Sequence, residues 1–146
     1  MKQLSKKEVK ELNSKLEIFD ISFNLKDRIF KKDNLIFVND KPMLIEIESK
    51  YYPTLFNTLD LKSIYVDKGA IPFVVKGADI MAPGISRFDS FLKDDIVFVK
   101  DDSHNKVLAL GIALINSEEL EKEKKGKAIK TYNFVGDKIW ESYKSF

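Results

Sequence analysis

The stretch from Val66 to Ile85 constrains the fold more than any other part of this 146-residue chain. It contains three of the six glycines and two of the four prolines, at Gly69, Pro72, Gly77, Pro83 and Gly84. The apolar segments between these residues are too short to form ordinary helices. The chain must therefore change direction several times here while it still buries most of its apolar side chains.

A short helix is the first structure that this stretch predicts. Pro72 is tolerated only in the first turn of a helix, so the helix should begin close to Gly69. Ile71, Val74 and Val75 are spaced by three and four residues, which places them on one face. We expect that face to hold the helix against the core.

Two glycine corners should bound the helix and the strand that follows it. Gly77 suits the left-handed conformation that ends many helices, and a short strand is expected at residues 79–82 before the turn at Pro83-Gly84. Lys68 and Lys76 lie beside the two corners of the helix. A glycine corner beside a lysine exposes backbone on which another backbone, such as an RNA strand, can lie closely.

The composition excludes several classes of protein. Hydrophobic residues make up 44% of the chain, which is enough for a core without disulfides or metals. The absence of cysteine excludes thiol catalysis and cysteine-ligated zinc. No apolar run approaches about 18 residues, so we expect no membrane span and a cytoplasmic location. The formal net charge of +2 is only weak support for nucleic-acid binding.

The first sixty residues predict a small unit of mixed structure. A capping-box pattern at residues 5–8 and the apolar spacing after it predict a helix over residues 6–18. One strand is expected within residues 21–30. Two β-prone runs, at residues 35–38 and 43–47, predict a hairpin.

A Tyr-Tyr-Pro sequence follows the hairpin. Pro53 suits the first position of a short helix whose buried face would hold Leu55, Phe56 and Leu59. The preceding pair, Tyr51-Tyr52, has two interpretations: an exposed platform on which bases stack, or packing against the neighbouring domain.

Mostly β structure is predicted beyond a domain boundary at residues 60–63. Strands are expected at residues 96–99, 107–115, 128–132 and 139–140, with a helix capped by Ser117 and an irregular segment at 86–93. The continuous apolar character of residues 107–115 indicates burial on both faces, as in a small closed barrel. We therefore expect an α+β fold in which a small N-terminal α/β domain (residues 1–62) packs on a C-terminal mixed β-barrel with short helices (residues 63–146).

The residue types of common catalytic sites are scarce. His104 is the single histidine, so a Ser-His-Asp triad has only this residue to use, and a zinc site with several histidines is excluded. The aspartates at positions 94, 95, 101 and 102 lack the spacing of an EF-hand loop and are better explained as turn residues. Neither a P-loop nor a GxGxxG motif occurs. We expect a binding protein with no catalytic residues, no metal and no cofactor.

Two stretches resemble the PUA domain, an RNA-binding module named after pseudouridine synthases and archaeosine transglycosylases. The sequence VDKGAIPFVVKGADIMAPGI at residues 66–85 resembles the opening strand, short helix and glycine corner of that family. KGKAI at 125–129 and GDKIW at 136–140 resemble its closing strands. Tyr52-Pro-Thr-Leu55 ahead of this region is similar to the pairing of an N-terminal domain with a PUA domain in archaeal relatives of the malignant T-cell-amplified sequence proteins and ligatin.

The resemblance implies binding to structured RNA, either tRNA or small-subunit ribosomal RNA, in translation initiation or ribosome recycling. It also implies an association with the small ribosomal subunit and, by analogy with the eukaryotic relatives, a protein partner with an SUI1-type domain. The residues that it implies for RNA contact are Lys68, Gly69, Lys76, Gly77, Ala78, Pro83, Gly84, Arg87, Lys127 and Lys130. Met81 and Trp140 also match the pattern, and we expect both in the core.

Two other functions stay open. An accessory or targeting subunit of an RNA-modifying enzyme, for pseudouridine or archaeosine, would form a stable complex with a catalytic subunit. A small enzyme would need carboxylates that converge in a deep pocket. For direct RNA binding we expect salt-sensitive affinity that falls when Lys68 and Lys76 are both changed to glutamate.

Overall fold

The computed structural model describes residues 1–144, which divide into two compact units. The first unit joins residues 1–59 to the segment that begins at Lys138, and the second spans residues 60–137. The strands are β1 (Lys2–Gln3), β2 (Ile29–Lys32), β3 (Leu35–Val38), β4 (Lys41–Ile47), β5 (Lys50–Pro53), β6 (Ser63–Val66), β7 (Ile80–Met81), β8 (Ile85–Phe88), β9 (Ile96–Asp101), β10 (Val107–Ala113) and β11 (Lys127–Phe134). The helices are α1 (Lys6–Leu16), α2 (Ile71–Val74), α3 (Ser117–Lys122) and α4 (Lys138–Lys144). The predicted α+β class is confirmed.

The first unit is an antiparallel sheet in the order β1-β2-β3-β4-β5, covered by α1. The predicted capping box begins α1: the Ser5 hydroxyl accepts a bond from the Glu8 N–H, and the Glu8 carboxylate accepts one from the Ser5 N–H. The apolar stripe of α1 packs on the sheet through Val9, Leu12 and Leu16. The periodicity of the sequence therefore predicts this packing correctly.

The predicted hairpin joins β3 to β4 through Asn39 and Asp40. Both residues have positive φ angles, 49° and 72°, which is the geometry that matches the twist of a two-residue hairpin. The strand expected within residues 21–30 begins only at Ile29, and the residues before it form turns and irregular structure.

Residues 54–57 form a turn where the sequence predicts a helix. The buried Thr54 hydroxyl donates to the carbonyl oxygen of Pro42 at 2.6 Å, and the Asn57 side chain donates to that of Met43 at 2.7 Å. These bonds hold the segment on β4. They replace the internal bonds that a helix would form, so tertiary contacts override the local preference of Pro53.

The Tyr51-Tyr52 pair packs inside the first unit. Tyr51 contacts the core beneath α1, and its hydroxyl lies 3.4 Å from the Lys31 ammonium. The Tyr52 ring lies 6.4 Å from that of Phe19. The structure favours packing over an exposed stacking platform, with partners from the same unit.

Helix α4 lies in the first unit, although the sequence predicts a strand at residues 139–140 within the second domain. Ile139 is buried beside Leu35, and the Trp140 ring centroid lies 4.7 Å from that of Phe56. The strand prediction is wrong because two apolar residues in a row are compatible with a strand and with the first turn of an amphipathic helix.

The second unit is a nearly closed barrel in the order β7-β11-β10-β9-β6-β8. β6 and β9 pair in parallel, and the other neighbours pair antiparallel. Strands β9, β10 and β11 confirm the predicted runs, whereas β8 occupies part of the segment predicted to be irregular. α3 begins after Asn116, whose backbone N–H donates to the Glu119 carboxylate at 2.9 Å, so Asn116 and not the predicted Ser117 is the N-cap residue. The hydroxyl of Ser117 is buried and bonds to the backbone of Phe91.

Candidate nucleic-acid interface

Helix α2 and its glycine end form as the sequence predicts. Pro72 lies in the first turn, where its missing N–H leaves no bond unmade. Gly77 has a φ of 89° and donates to the carbonyl oxygen of Val74 at 2.9 Å, while Ala78 donates to that of Phe73 at 3.1 Å. These paired bonds are a Schellman end, which confirms the left-handed glycine.

The buried face of α2 is narrower than the sequence predicts. Val74 is buried and Ile71 is partly buried against the barrel core, but Val75 is 44% exposed. The helix ends at Val74, so Val75 is its C-cap residue, with a ψ of 0°, and lies beyond the buried face. The prediction that Val75 holds the helix to the core is therefore wrong.

A groove of about 620 Å³ opens between α2, β7 and the turn after β7. Five of the ten residues expected to contact RNA line it: Gly69, Ala78, Pro83, Gly84 and Lys127. Most of the remaining lining is apolar, with Phe73 and Met81 at the surface and Val74 and Ile80 below. The groove is therefore an open apolar slot with backbone exposed at its glycine corners.

The charged groups in the groove are two carboxylates and one ammonium. Lys127 Nζ lies 3.5 Å from Asp79 Oδ2, and the other oxygen of Asp79 accepts a bond from the Thr131 N–H at 3.2 Å. Asp67 Oδ1 accepts a bond from the Ala70 N–H at 3.0 Å. Carboxylate oxygens accept bonds from base N–H groups and repel phosphate, so the slot suits an unstacked base rather than a phosphate group.

Two groove residues, Phe73 and Met81, are absent from the set of contacts expected from the sequence. Phe73 is 65% exposed, and Met81, which the sequence predicts in the core, is 46% exposed. In the two-residue edge strand β7, Ile80 points inward, so Met81 must point outward. The alternation along the strand and the position of Phe73 off the Ile71–Val74 face are the signals that identify them.

The other expected contacts lie outside the groove. Lys68 and Lys76 are exposed at the two ends of α2, and Lys130 is exposed on β11. Gly77 lies against Phe134, where a Cβ atom would come within 2.6 Å of the ring. The role of Gly77 is therefore to let the chain turn over Phe134.

Arg87 occupies a separate surface, on β8. Its Cζ atom lies 3.6 Å from the ring centroid of Tyr65, and Nη2 donates to Asn105 Oδ1 at 2.6 Å. Arg87 follows the groove residue Gly84 by three residues, but those residues belong to the extended strand β8 and do not line the groove.

Residues 1–144 contain no cluster of three or more His, Asp or Glu side chains that could hold a metal ion. No helix in this part of the chain is long and apolar enough to cross a membrane.

The barrel and the groove beside α2 together define a PUA domain, and the sequence profile of that domain matches residues 62–135. The chain therefore belongs to the PUA-domain family. It is 42% identical to an uncharacterized protein of Methanocaldococcus jannaschii over 94% of this chain and 93% of that protein.

Two further relatives carry names that refer to T-cell amplification and translation. The chain is 36% identical to the malignant T-cell-amplified sequence 1 homolog of Drosophila melanogaster, over 53% of this chain and 44% of that protein. It is 34% identical to translation machinery-associated protein 20 of Eremothecium gossypii, over 61% and 50%. These matches span about half the length of the two named relatives.

Two solved structures have folds similar to that of this chain. The chain resembles a PUA domain of Aeropyrum pernix with a TM-score of 0.78 and 28% identity, over 98% of this chain and 90% of that one. It also resembles a chain of an H/ACA ribonucleoprotein bound to a substrate RNA, with a TM-score of 0.50 and 26% identity, over 55% of this chain and 25% of that one.

Proposed function

We propose that this chain is a non-catalytic RNA-binding protein of translation, which takes an unpaired base into the groove beside α2. The observation that carries the proposal is the groove itself, an apolar slot in a PUA domain with Phe73 and Met81 exposed on it. An exposed aromatic ring offers a stacking surface to any base, and the two carboxylates offer acceptors to its edge.

The rim of the groove suits the backbone that carries such a base. Lys68 and Lys76 at the ends of α2, together with Lys127 and Lys130 at β11, supply positive charge for phosphates. Gly69 is exposed and has only one atom, a carboxylate oxygen of Asp67, near the position of a Cβ. The ribose of an RNA nucleotide, whose hydroxyl groups can donate to that carboxylate, can therefore approach closely at that corner.

The names of the relatives support a role in translation, and tRNA or small-subunit ribosomal RNA is the RNA that we propose. Initiation or ribosome recycling is the step in which we place the protein. The small ribosomal subunit and a protein with an SUI1-type domain are its proposed partners.

The groove is tested by removing its stacking surface. Phe73→Ala should weaken binding to a fluorescein-labelled RNA hairpin with a single-stranded 3′ extension by about 5- to 150-fold, because one base–aromatic stack contributes about 1–3 kcal/mol. Leu92→Ala is a matched control, since Leu92 is 66% exposed and lies in the same unit outside the groove. Fluorescence anisotropy measures both variants. Equal affinities for Phe73→Ala and Leu92→Ala would refute the groove as the base site.

The rim is tested by reversing its charge. Lys68→Glu combined with Lys76→Glu should weaken binding of the same hairpin and reduce its dependence on salt. Binding to tRNA and to small ribosomal subunits that is unchanged by this double substitution would exclude the proposed surface.

An accessory subunit of an RNA-modifying enzyme is the second candidate. The likeness of the barrel to a chain of an H/ACA ribonucleoprotein favours it. Affinity purification of the tagged protein separates the two functions: a stable complex with a modification enzyme supports the second. Co-sedimentation with small ribosomal subunits in the absence of such an enzyme supports the first.

A further inference from the structure

Three side chains form a row across the outer face of the barrel, away from the groove. Tyr65 on β6 pairs with Arg87 on β8 and with Lys100 on β9. Along these strands the neighbours Ile64 and Val99 are buried in the core, so the alternation of the strands directs the three side chains outward. We refer to Arg87, Tyr65 and Lys100 as the Tyr65 row.

The two cations of the row are ordered by the ring between them. The guanidinium carbon of Arg87 lies 3.6 Å from the Tyr65 ring centroid, and Lys100 Nζ lies 5.8 Å from it. Lys100 Nζ is also 5.4 Å from the centroid of Phe98. One edge of the guanidinium is held by Asn105, which leaves most of its five N–H donors available. These contacts hold both charges in place before any ligand arrives.

The acidic residues near the row are engaged elsewhere. They are Asp67, Asp89 and Asp101, whose carboxylates accept backbone N–H bonds, and Asp102, which lies 3.5 Å from the Ser103 hydroxyl. Among residues 1–144, no ion pair includes Arg87 or Lys100. Two fixed cations without acidic partners are complementary to an anion.

We propose that the Tyr65 row binds the phosphodiester backbone of the RNA whose unpaired base enters the groove. The inference rests on the proposed function. A guanidinium fork binds two phosphate oxygens at once, and Lys100 adds a second positive charge beside it. The Tyr65 ring is covered by Arg87, so the row recognises phosphate rather than base identity and positions the RNA without reading its sequence.

The position of the row suits a strand that leaves the groove. β8 begins directly after the groove residue Gly84, and Arg87 lies three residues further along it, about 10 Å at about 3.3 Å per residue. A stacked strand advances about 3.4 Å per nucleotide along its axis, so about three nucleotides at most would span the distance from the groove to the row. An RNA with a base in the groove and its flanking nucleotides along β8 would contact both surfaces.

The test measures how affinity depends on salt. In the full chain, Arg87→Gln with Lys100→Gln should lower the slope of log affinity against log salt by about 1.4–1.8, because each lost phosphate contact removes about 0.7–0.9. Lys93→Gln, which removes one exposed charge in the same unit, is the control and should leave the slope unchanged. The probe is the same labelled hairpin. Lys100→Gln as a single variant should give about half of the change, and circular dichroism checks that each variant is folded.

The outcomes distinguish the row from the groove. If wild-type protein binds the hairpin and Phe73→Ala weakens it, but the double variant behaves like Lys93→Gln, the role of the row is refuted and the groove stands. If the double variant lowers the slope of log affinity against log salt, but Phe73→Ala binds as tightly as Leu92→Ala, the role of the row is supported and the groove is refuted as the base site. A wild-type protein that binds no hairpin would refute both.

Discussion

Gly77 gives a quantitative test of how the end of α2 is built, because a side chain there would be unfavourable for two separate reasons. Its φ of 89° is unfavourable for any residue with a Cβ, and a Cβ would also lie 2.6 Å from Phe134 Cε1. Gly136 has nearly the same φ, 91°, but a Cβ there would have no neighbour within 4 Å. A Cβ atom at either position would therefore make the backbone conformation unfavourable, but only at position 77 would it also clash with a neighbouring side chain.

The expected destabilisation follows from this difference. Gly136→Ala should lower the free energy of unfolding of the barrel by about 1–2 kcal/mol, the cost of a left-handed residue with a Cβ. Gly77→Ala should add about 1–3 kcal/mol for the overlap with the Phe134 ring, which gives about 2–5 kcal/mol in total. In a Phe134→Ala background the overlap is absent, so Gly77→Ala should cost about as much as Gly136→Ala.

Hydrogen exchange of core amides in β9 and β10 measures the stability of the barrel directly, without relying on two-state unfolding of the whole chain. The double-mutant cycle compares four proteins, which are wild type, Gly77→Ala, Phe134→Ala and the variant that combines both changes. Equal losses for Gly77→Ala and Gly136→Ala would show that Phe134 moves aside freely. The close contact would then have no part in shaping the end of α2.

Two further predictions concern buried polar groups. Thr54→Val should lower the stability of the first unit by about 1–3 kcal/mol, because it removes the buried 2.6 Å hydrogen bond from the Thr54 hydroxyl to β4. Urea unfolding followed by Trp140 fluorescence measures this loss of stability. Thr58 is exposed, so Thr58→Val should have little effect. A backbone N–H bond lowers the pKa of Asp101, so its carboxylate stabilises the barrel above the unfolded-state pKa, and this stabilisation is lost as the pH falls through the lower folded pKa. Asp101→Asn should therefore be less stable than wild type at about pH 7, with a difference that shrinks toward about pH 3. Amide exchange at both pH values measures this difference, and a difference that stays constant between them would contradict the prediction.

Local signals in the sequence predict the turn-rich segment around α2 well. Pro72 restricts the backbone to the first turn of a helix, whereas Gly77 permits a left-handed conformation that other residues avoid, so each residue marks one end of α2. The hairpin at Asn39-Asp40 and the strands β9 to β11 follow from equally local patterns. Such features depend on residues a few positions apart, which a sequence displays directly.

Two of the failed predictions involve contacts between distant residues. The turn after Pro53 depends on bonds from Thr54 and Asn57 to β4, and the helix at Trp140 depends on the Leu35 and Phe56 surface that covers it. Neither partner can be identified from local propensity.

Two positions relative to the groove depend on strand geometry. Arg87 is near Gly84 in sequence but lies outside the groove, since β8 is extended. Met81 is apolar but exposed, because an edge strand of two residues has only one inward position.

The position of α4 affects how the chain folds as it is synthesised. The ribosome releases the strands β1 to β5 first, then the whole barrel, and only then the helix that covers Leu35 and Phe37. The barrel is a continuous segment and can complete its core before α4 exists, whereas the apolar cluster of Leu35 and Phe37 in the first unit lacks Ile139 until then. The first unit is thus completed last, and a nascent chain stopped at residue 137 would carry a complete barrel and a first unit whose apolar surface at Leu35 and Phe37 is uncovered.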